Sequence, residues 1–126
     1  MPVSGLNHVN FQTHRALIET LRDFYCDVIG LTEGARPPFS TFGYWLYAGD
    51  QPVIHLWEND EGRNLGSPMT TFDHFAFTAS DAPAFEAKLA ALDIDHRVTH
   101  LPASTVKQIF LKDPAGNLLE LQFNDG

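Results

Sequence analysis

Leu6-Asn7-His8-Val9-Asn10-Phe11 and Phe72-Asp73-His74-Phe75-Ala76-Phe77 are two copies of one pattern within a chain of 126 residues. His8 falls on His74, an offset of 66 residues. Further on, Val53-Ile54-His55-Leu56-Trp57 falls on Leu118-Leu119-Glu120-Leu121-Gln122, and His55 meets Glu120 at an offset of 65. Two nearly equal offsets, with His, His, His and Glu at the matched positions, mark a duplicated fold that places equivalent residues around one centre. All four are good metal ligands.

In the first copy, residues 5–12 alternate as a strand, with Leu6, His8, Asn10 and Gln12 on one face and Val9 and Phe11 on the other. Thr13 is placed to cap a helix over 14–28, where Leu17, Leu21, Phe24, Tyr25 and Val28 recur at helical spacing. Gly30 ends it. A strand over 31–36 stops at Pro37-Pro38, and strands over 41–48 and 52–58 join at Gly49-Asp50. Asn59 to Pro68 reads as a linker. The pattern then restarts: a strand over 71–78, then a helix over 82–92 capped by Ser80 or Asp81, with Pro83 in its first turn. A short strand over 95–99 precedes a hairpin of 105–112 and 117–123 around Asp113-Pro114-Ala115-Gly116. The expected fold class is α+β, with two βαβββ modules in tandem. The modules would pair edge to edge within the chain, or swap between two chains, to form a curved sheet around a metal cleft. One domain would span 1–126, with module 1 about 1–58, a linker about 59–70 and module 2 about 71–126.

Composition bounds the partners. An apolar fraction of 44% with 12% aromatic residues fits a folded core rather than disorder. A net charge of −8 disfavours nucleic acid and anionic membrane surfaces. No basic stretch leads into an apolar run and no segment reaches the ~20 apolar residues of a membrane span, so a cytoplasmic, soluble protein is expected. Cys26 is the single cysteine. It excludes an intrachain disulfide and reads as a buried structural thiol.

Each half places its first candidate on its first strand and its second on its last. Neutral imidazole and carboxylate together suit one divalent ion of Zn, Ni, Fe, Co or Mn. Glu120 sits between Leu119 and Leu121, and a carboxylate on a buried face is costly unless paired or metal-bound. His55 can be a fourth ligand, a base or a substrate contact. His14, His96 and His100 read as exposed. Arg36 and Lys107 read as solvated cations, with pairing to an anionic substrate group as the second reading. Phe39, Phe42, Tyr44, Trp45 and Trp57 read mainly as core, or else as the wall of an aromatic cleft.

These residues carry a resemblance. Asn7-His8-Val9 with Asp23-Phe24-Tyr25 and Val28-Ile29-Gly30-Leu31 resembles the vicinal oxygen chelate superfamily. So do the second copy around His74 and the closing Asp113-Pro114-Ala115-Gly116-Asn117 with Leu119-Glu120-Leu121. This superfamily includes glyoxalase I, extradiol dioxygenases, fosfomycin resistance enzymes and bleomycin-resistance proteins. The resemblance covers essentially the whole chain. It implies metal ligands at His8, His74 and Glu120, with His55 at the fourth ligand position, and a homodimer whose sites draw on two chains. The implied activity is that of a lyase or isomerase (lactoylglutathione lyase-like) which chelates a small molecule through adjacent oxygens and moves a proton at carbon. Glu120 is the first candidate base and His55 the second. An extradiol-type dioxygenase is the alternative, and a drug-binding protein without catalysis the second alternative. Two departures bear on this: Gln12 stands where glyoxalase I commonly has an Arg for glutathione, and Phe110 where extradiol enzymes have a Tyr. Asn59 matches a glutathione-contacting Asn, but turn chemistry also explains it.

Overall fold

Val9 and Phe11 alternate with Asn10 and Gln12 along β1 (Val9–Thr13), the first element of a computed structural model that describes residues 5–60, 72 and 74–124. The helix α1 (Arg15–Asp23) follows at once. Its cap is His14 rather than the expected Thr13: the His14 Nδ1 accepts from the Leu17 N–H at 3.3 Å. Thr13 is instead the buried last residue of β1, held in the ladder opposite Glu58. Beyond Asp23 the helix continues as a π-helical segment, Phe24–Ile29, closed by Gly30 at φ 99. That left-handed conformation is one glycine adopts without steric cost. The wider turn brings Phe24, Tyr25, Val28 and Ile29 all to the buried side.

Three strands complete the first half: β2 (Thr32–Gly34), β3 (Gly43–Ala48) and β4 (Gln51–Glu58). The sheet order is β1-β4-β3-β2, with β1 parallel to β4 and the other pairs antiparallel. On one face Leu46, Ile54 and Leu56 are buried together with Ile18 and Leu21 of α1. Fully burying one such side chain stabilises by about 1.5–3 kcal/mol, which fixes the strand phase, since a slip of one residue would exchange the faces. The opposite face therefore carries Asn10, His55 and Trp45 in one row and Gln12, Trp57 and Gly43 in the next.

The second half repeats the plan with β5 (Phe75–Ala79), α2 (Ala82–Ala91), β6 (His96–His100), β7 (Lys107–Lys112) and β8 (Leu118–Phe123), in the order β5-β8-β7-β6. Asp81 caps α2, its side chain accepting from the Ala84 N–H at 3.3 Å. Leu89, Ile109, Leu111, Leu119, Leu121 and Phe123 form the buried side. Between β7 and β8 the Asp113 carboxylate organises the turn: Oδ1 accepts from the Ala115 and Asn117 N–H groups, and Oδ2 from Asn117 Nδ2, each at 2.9 Å.

The fold is thus α+β, with two βαβββ modules in tandem. The chain divides into compact units Met1–Asn64 and Leu65–Gly126. From residue 61 onward the expected linker lies outside the described residues. The first strand of each module begins later than expected, because the parallel ladders start at Val9↔Ile54 and Phe75↔Leu119. His8 and His74 consequently stand just ahead of β1 and β5. No helix among the described residues is long and apolar enough to cross a membrane.

Candidate functional site

In the second unit, His74 and Glu120 meet. Glu120 lies in β8 opposite Ala76 and Phe110, and its side chain is 6% exposed against 32% for His74. The His74 Nε2 stands 3.1 Å from Glu120 Oε1. Glu120 Oε2 accepts from Gln108 Nε2 at 3.1 Å and from Gln122 Nε2 at 3.4 Å. Both glutamines share Glu120's face by alternation and are functional neighbours the motif comparison did not single out. Phe110 presents its edge geometry to the His74 ring at 5.4 Å and 79°, with no hydroxyl to offer.

In the first unit, His8 and His55 also meet, but as stacked rings with centroids 3.8 Å apart and planes at 13°. Trp45, across the ladder from His55, stacks on its other side at 4.1 Å and 7°. The hydrogen bonds settle the ring nitrogens. Pro52 O can only accept, so His55 Nε2, 3.1 Å away, carries the hydrogen and Nδ1 keeps the lone pair. Likewise His8 Nδ1 donates to Asn7 Oδ1 at 2.8 Å. Burial, and then the neighbouring His8 imidazole, push the His55 pKa below its ordinary 6.5. His55 is therefore neutral at pH 7.

The two pairs fit a divalent ion differently. Two cis ligands about 2.1 Å from one ion lie ~3 Å apart, which is the His74–Glu120 donor spacing. The His8 Nδ1–H bonded to a carbonyl oxygen, with Nε2 free, is the usual arrangement of a ligating imidazole. Parallel rings, by contrast, cannot aim their in-plane lone pairs at one point. In this arrangement His8 and His55 do not share an ion, and a ligand role for His55 requires its ring to turn. Among the described residues no group of three or more His, Cys, Asp or Glu is close enough to hold a metal.

The remaining candidates separate clearly. Lys107 is paired with Glu86 at 2.5 Å, not free for an anion. His96, expected exposed, is half-buried, with Nδ1 at 2.9 Å from Ile94 O. His14 and His100 are exposed. Asn59 Nδ2 donates to Gln12 Oε1 at 3.1 Å, so the two positions compared with glutathione contacts bind each other. Cys26 is only half-buried.

Residues 5–121 match the family model of the glyoxalase/bleomycin resistance protein/dioxygenase superfamily. The chain belongs to this superfamily. No curated protein sequence matches it. Among solved structures it is similar to a protein assigned to the glyoxalase family from Bacillus anthracis, with 26% identity and TM-score 0.78 over 98% of this chain and 97% of that one. It is similar in fold to a lactoylglutathione lyase from Agrobacterium tumefaciens, with 20% identity and TM-score 0.65 over 98% and 96%. A third, TnmS3, an antibiotic binding protein from Streptomyces sp. CB03234, has 19% identity and TM-score 0.67 over 99% of both chains. The glyoxalase superfamily thus spans proteins named as enzymes and proteins named as binders. Its members bind small molecules and commonly a divalent metal.

Proposed function

We propose that this protein is a divalent-metal-dependent, glyoxalase-like lyase or isomerase, acting on a small molecule that presents two adjacent oxygens. The observation that carries this reading is the buried Glu120 carboxylate facing His74 Nε2 at 3.1 Å. His74, Glu120 and His8 are the proposed ligands, with His55 joining them only if its ring turns. The protein is proposed to work as a homodimer, the first-unit histidines coming from this chain or from its partner copy. When bound, the ion (Zn, Ni, Fe, Co or Mn) supplies Lewis-acid stabilisation of charge developing on the substrate oxygens. The side chains supply the proton handling. Gln108 and Gln122 hold Glu120 Oε2 and His74 meets Oε1, which fixes in place the carboxylate that is the first candidate for proton exchange with substrate carbon. His55 Nδ1 is the second acceptor, available at neutral pH because the ring stays uncharged. Trp45, packed flat on His55, keeps water off one side of that nitrogen's ring.

Metal analysis of the purified protein tests this. Stoichiometric divalent metal is expected, with affinity at least about tenfold weaker in Glu120→Gln and His74→Ala. Solvent deuterium should enter the carbon beside the carbonyl of a 2-oxoaldehyde thiol adduct only with metal present. Protein that takes up no divalent ion at any concentration tried would sink the reading. One observation favours a second reading, a binder without catalysis: the His8–His55–Trp45 stack is a platform for a flat aromatic ligand. In that case ligand affinity would survive chelation unchanged.

A further inference from the structure

Three arginines of the first unit fall among the described residues, and two of them are paired. Arg15 meets Glu58 at 2.9 Å, and Arg22 meets Asp23 at 2.9 Å with Glu33 at 3.6 Å. Arg36 is different: its Nε and Nη2 are buried and have no hydrogen-bond partner. No carboxylate among the described residues pairs with it, although the chain carries 16 Asp and Glu against 8 Lys and Arg. Burying unpaired donors of a cation is costly, so this arginine is not in its cheapest place.

The surroundings are built to keep it there. The guanidinium lies 5.0 Å from the Phe39 ring centre and 5.6 Å from that of Trp57. Arginine tolerates this because it is weakly hydrated and stacks on aromatic faces. Beneath it is Gly43, where a Cβ would come within 2.9 Å of Arg36 Nη2 and collide with Leu56 O. The absent side chain is the space the guanidinium uses. Pro37 and Pro38 stiffen the chain that follows. Gly43 and Trp57 share the face that carries His55 and Trp45, and the Arg36 charge contributes to holding His55 neutral. Nε–H and one Nη2–H point the same way, along the edge that a carboxylate meets with two parallel hydrogen bonds.

We infer that Arg36 anchors a carboxylate on the small-molecule ligand of this face, taken edge-on by Nε and Nη2 beside the Phe39 and Trp57 rings. The two parallel N–H donors match a planar carboxylate in one plane, beside the Phe39 and Trp57 rings, which meet each other at 5.2 Å and 64°. Phe39, 43% exposed, is the ring that moves aside to admit it. The inference rests on reading this face as the substrate side of the proposed site, and it does not depend on the metal.

The test is tryptophan fluorescence of the full chain titrated with benzoate, and separately with inorganic phosphate, before and after EDTA treatment. Wild type should give saturable quenching by benzoate in both conditions, weakened at least tenfold in R36M and partly restored in R36K. Phosphate should give none at equal concentration. The thermal midpoint of R36M should match or exceed that of wild type, since an unpaired buried charge has gone. Equal benzoate affinity in R36M, no saturable signal in wild type, or equal binding of phosphate would each overturn the assignment. So would an R36M midpoint lower by several degrees with binding intact, which would make Arg36 structural. Binding that EDTA abolishes but R36M retains would give the carboxylate to the metal instead. Arg36-dependent binding in protein that takes up no metal would keep the anchor and end the metal reading.

Discussion

Glu120 and Cys26 show how far one side chain can be read ahead of its surroundings. The Glu120 position is legible because it repeats His55 at an offset of 65 and is flanked by two leucines. Its glutamine partners follow from simple alternation along β7 and β8. Arg36 is legible only as a solvated cation or an anion partner: the sequence shows neither the gap at Gly43 nor that no carboxylate among the described residues pairs with it. The His14 cap is missed for a similar reason, since an imidazole nitrogen takes the place of the usual hydroxyl or carboxylate oxygen. Cys26 carries a prediction. Burial, the largest influence, raises its thiol pKa above 9.0, so thiolate is scarce at pH 8. Its alkylation by iodoacetamide at pH 8 should be slower than that of free cysteine, whose pKa is about 8.5, and should climb as pH passes 9. A rate matching free cysteine at pH 8 would show that the thiol is not shielded.

Among elements, the strands and helices were readable because their apolar periods differ, and most boundaries fall within two residues of expectation. The exceptions have physical causes. Periodicity cannot reveal that Phe24–Ile29 is π-helical, because six residues are too few to tell the two helical repeats apart. It also cannot say where a parallel ladder begins, which is why β1 and β5 start late. The turn at Asp113 is an element whose worth can be measured. Its buried carboxylate satisfies three donors, and Asp113→Ala leaves them unmet. A loss of about 1–3 kcal/mol in urea unfolding is expected, with faster amide exchange at Ala115 and Asn117. A loss below about 0.5 kcal/mol would mean that water replaces the carboxylate at little cost.

For the whole molecule, the repeated order of strands announced two modules, and the structure has them. What no sequence comparison can supply is the state of the rings within a pair, and here the pairs differ: nitrogen and oxygen side by side in one, two imidazoles face to face in the other. If the proposed ion binds only the folded chain, metal at 100 times its Kd should raise stability by about 2.7 kcal/mol. The thermal midpoint should rise accordingly and return to its starting value with EDTA. A midpoint indifferent to every ion tried would place the four residues outside any metal chemistry. Glu120→Gln should show a much smaller rise at the same ion concentration.

The parallel pairing of first and last strand has a further consequence. His74 and Glu120 are 46 positions apart in sequence, yet their distance is set by one ladder, β5 on β8, and by nothing in the chain that runs between. Insertions or deletions in the connecting loops lengthen or shorten that chain without moving the pair, at a closure cost of only about 0.6 kcal/mol per doubling of a loop. A single-residue insertion inside β8 ahead of Glu120, by contrast, would turn it to the opposite face. The fold thereby separates what is free to drift from what is not, so new loop lengths can be tried, by selection or by an engineer, while the chemistry underneath stays in register.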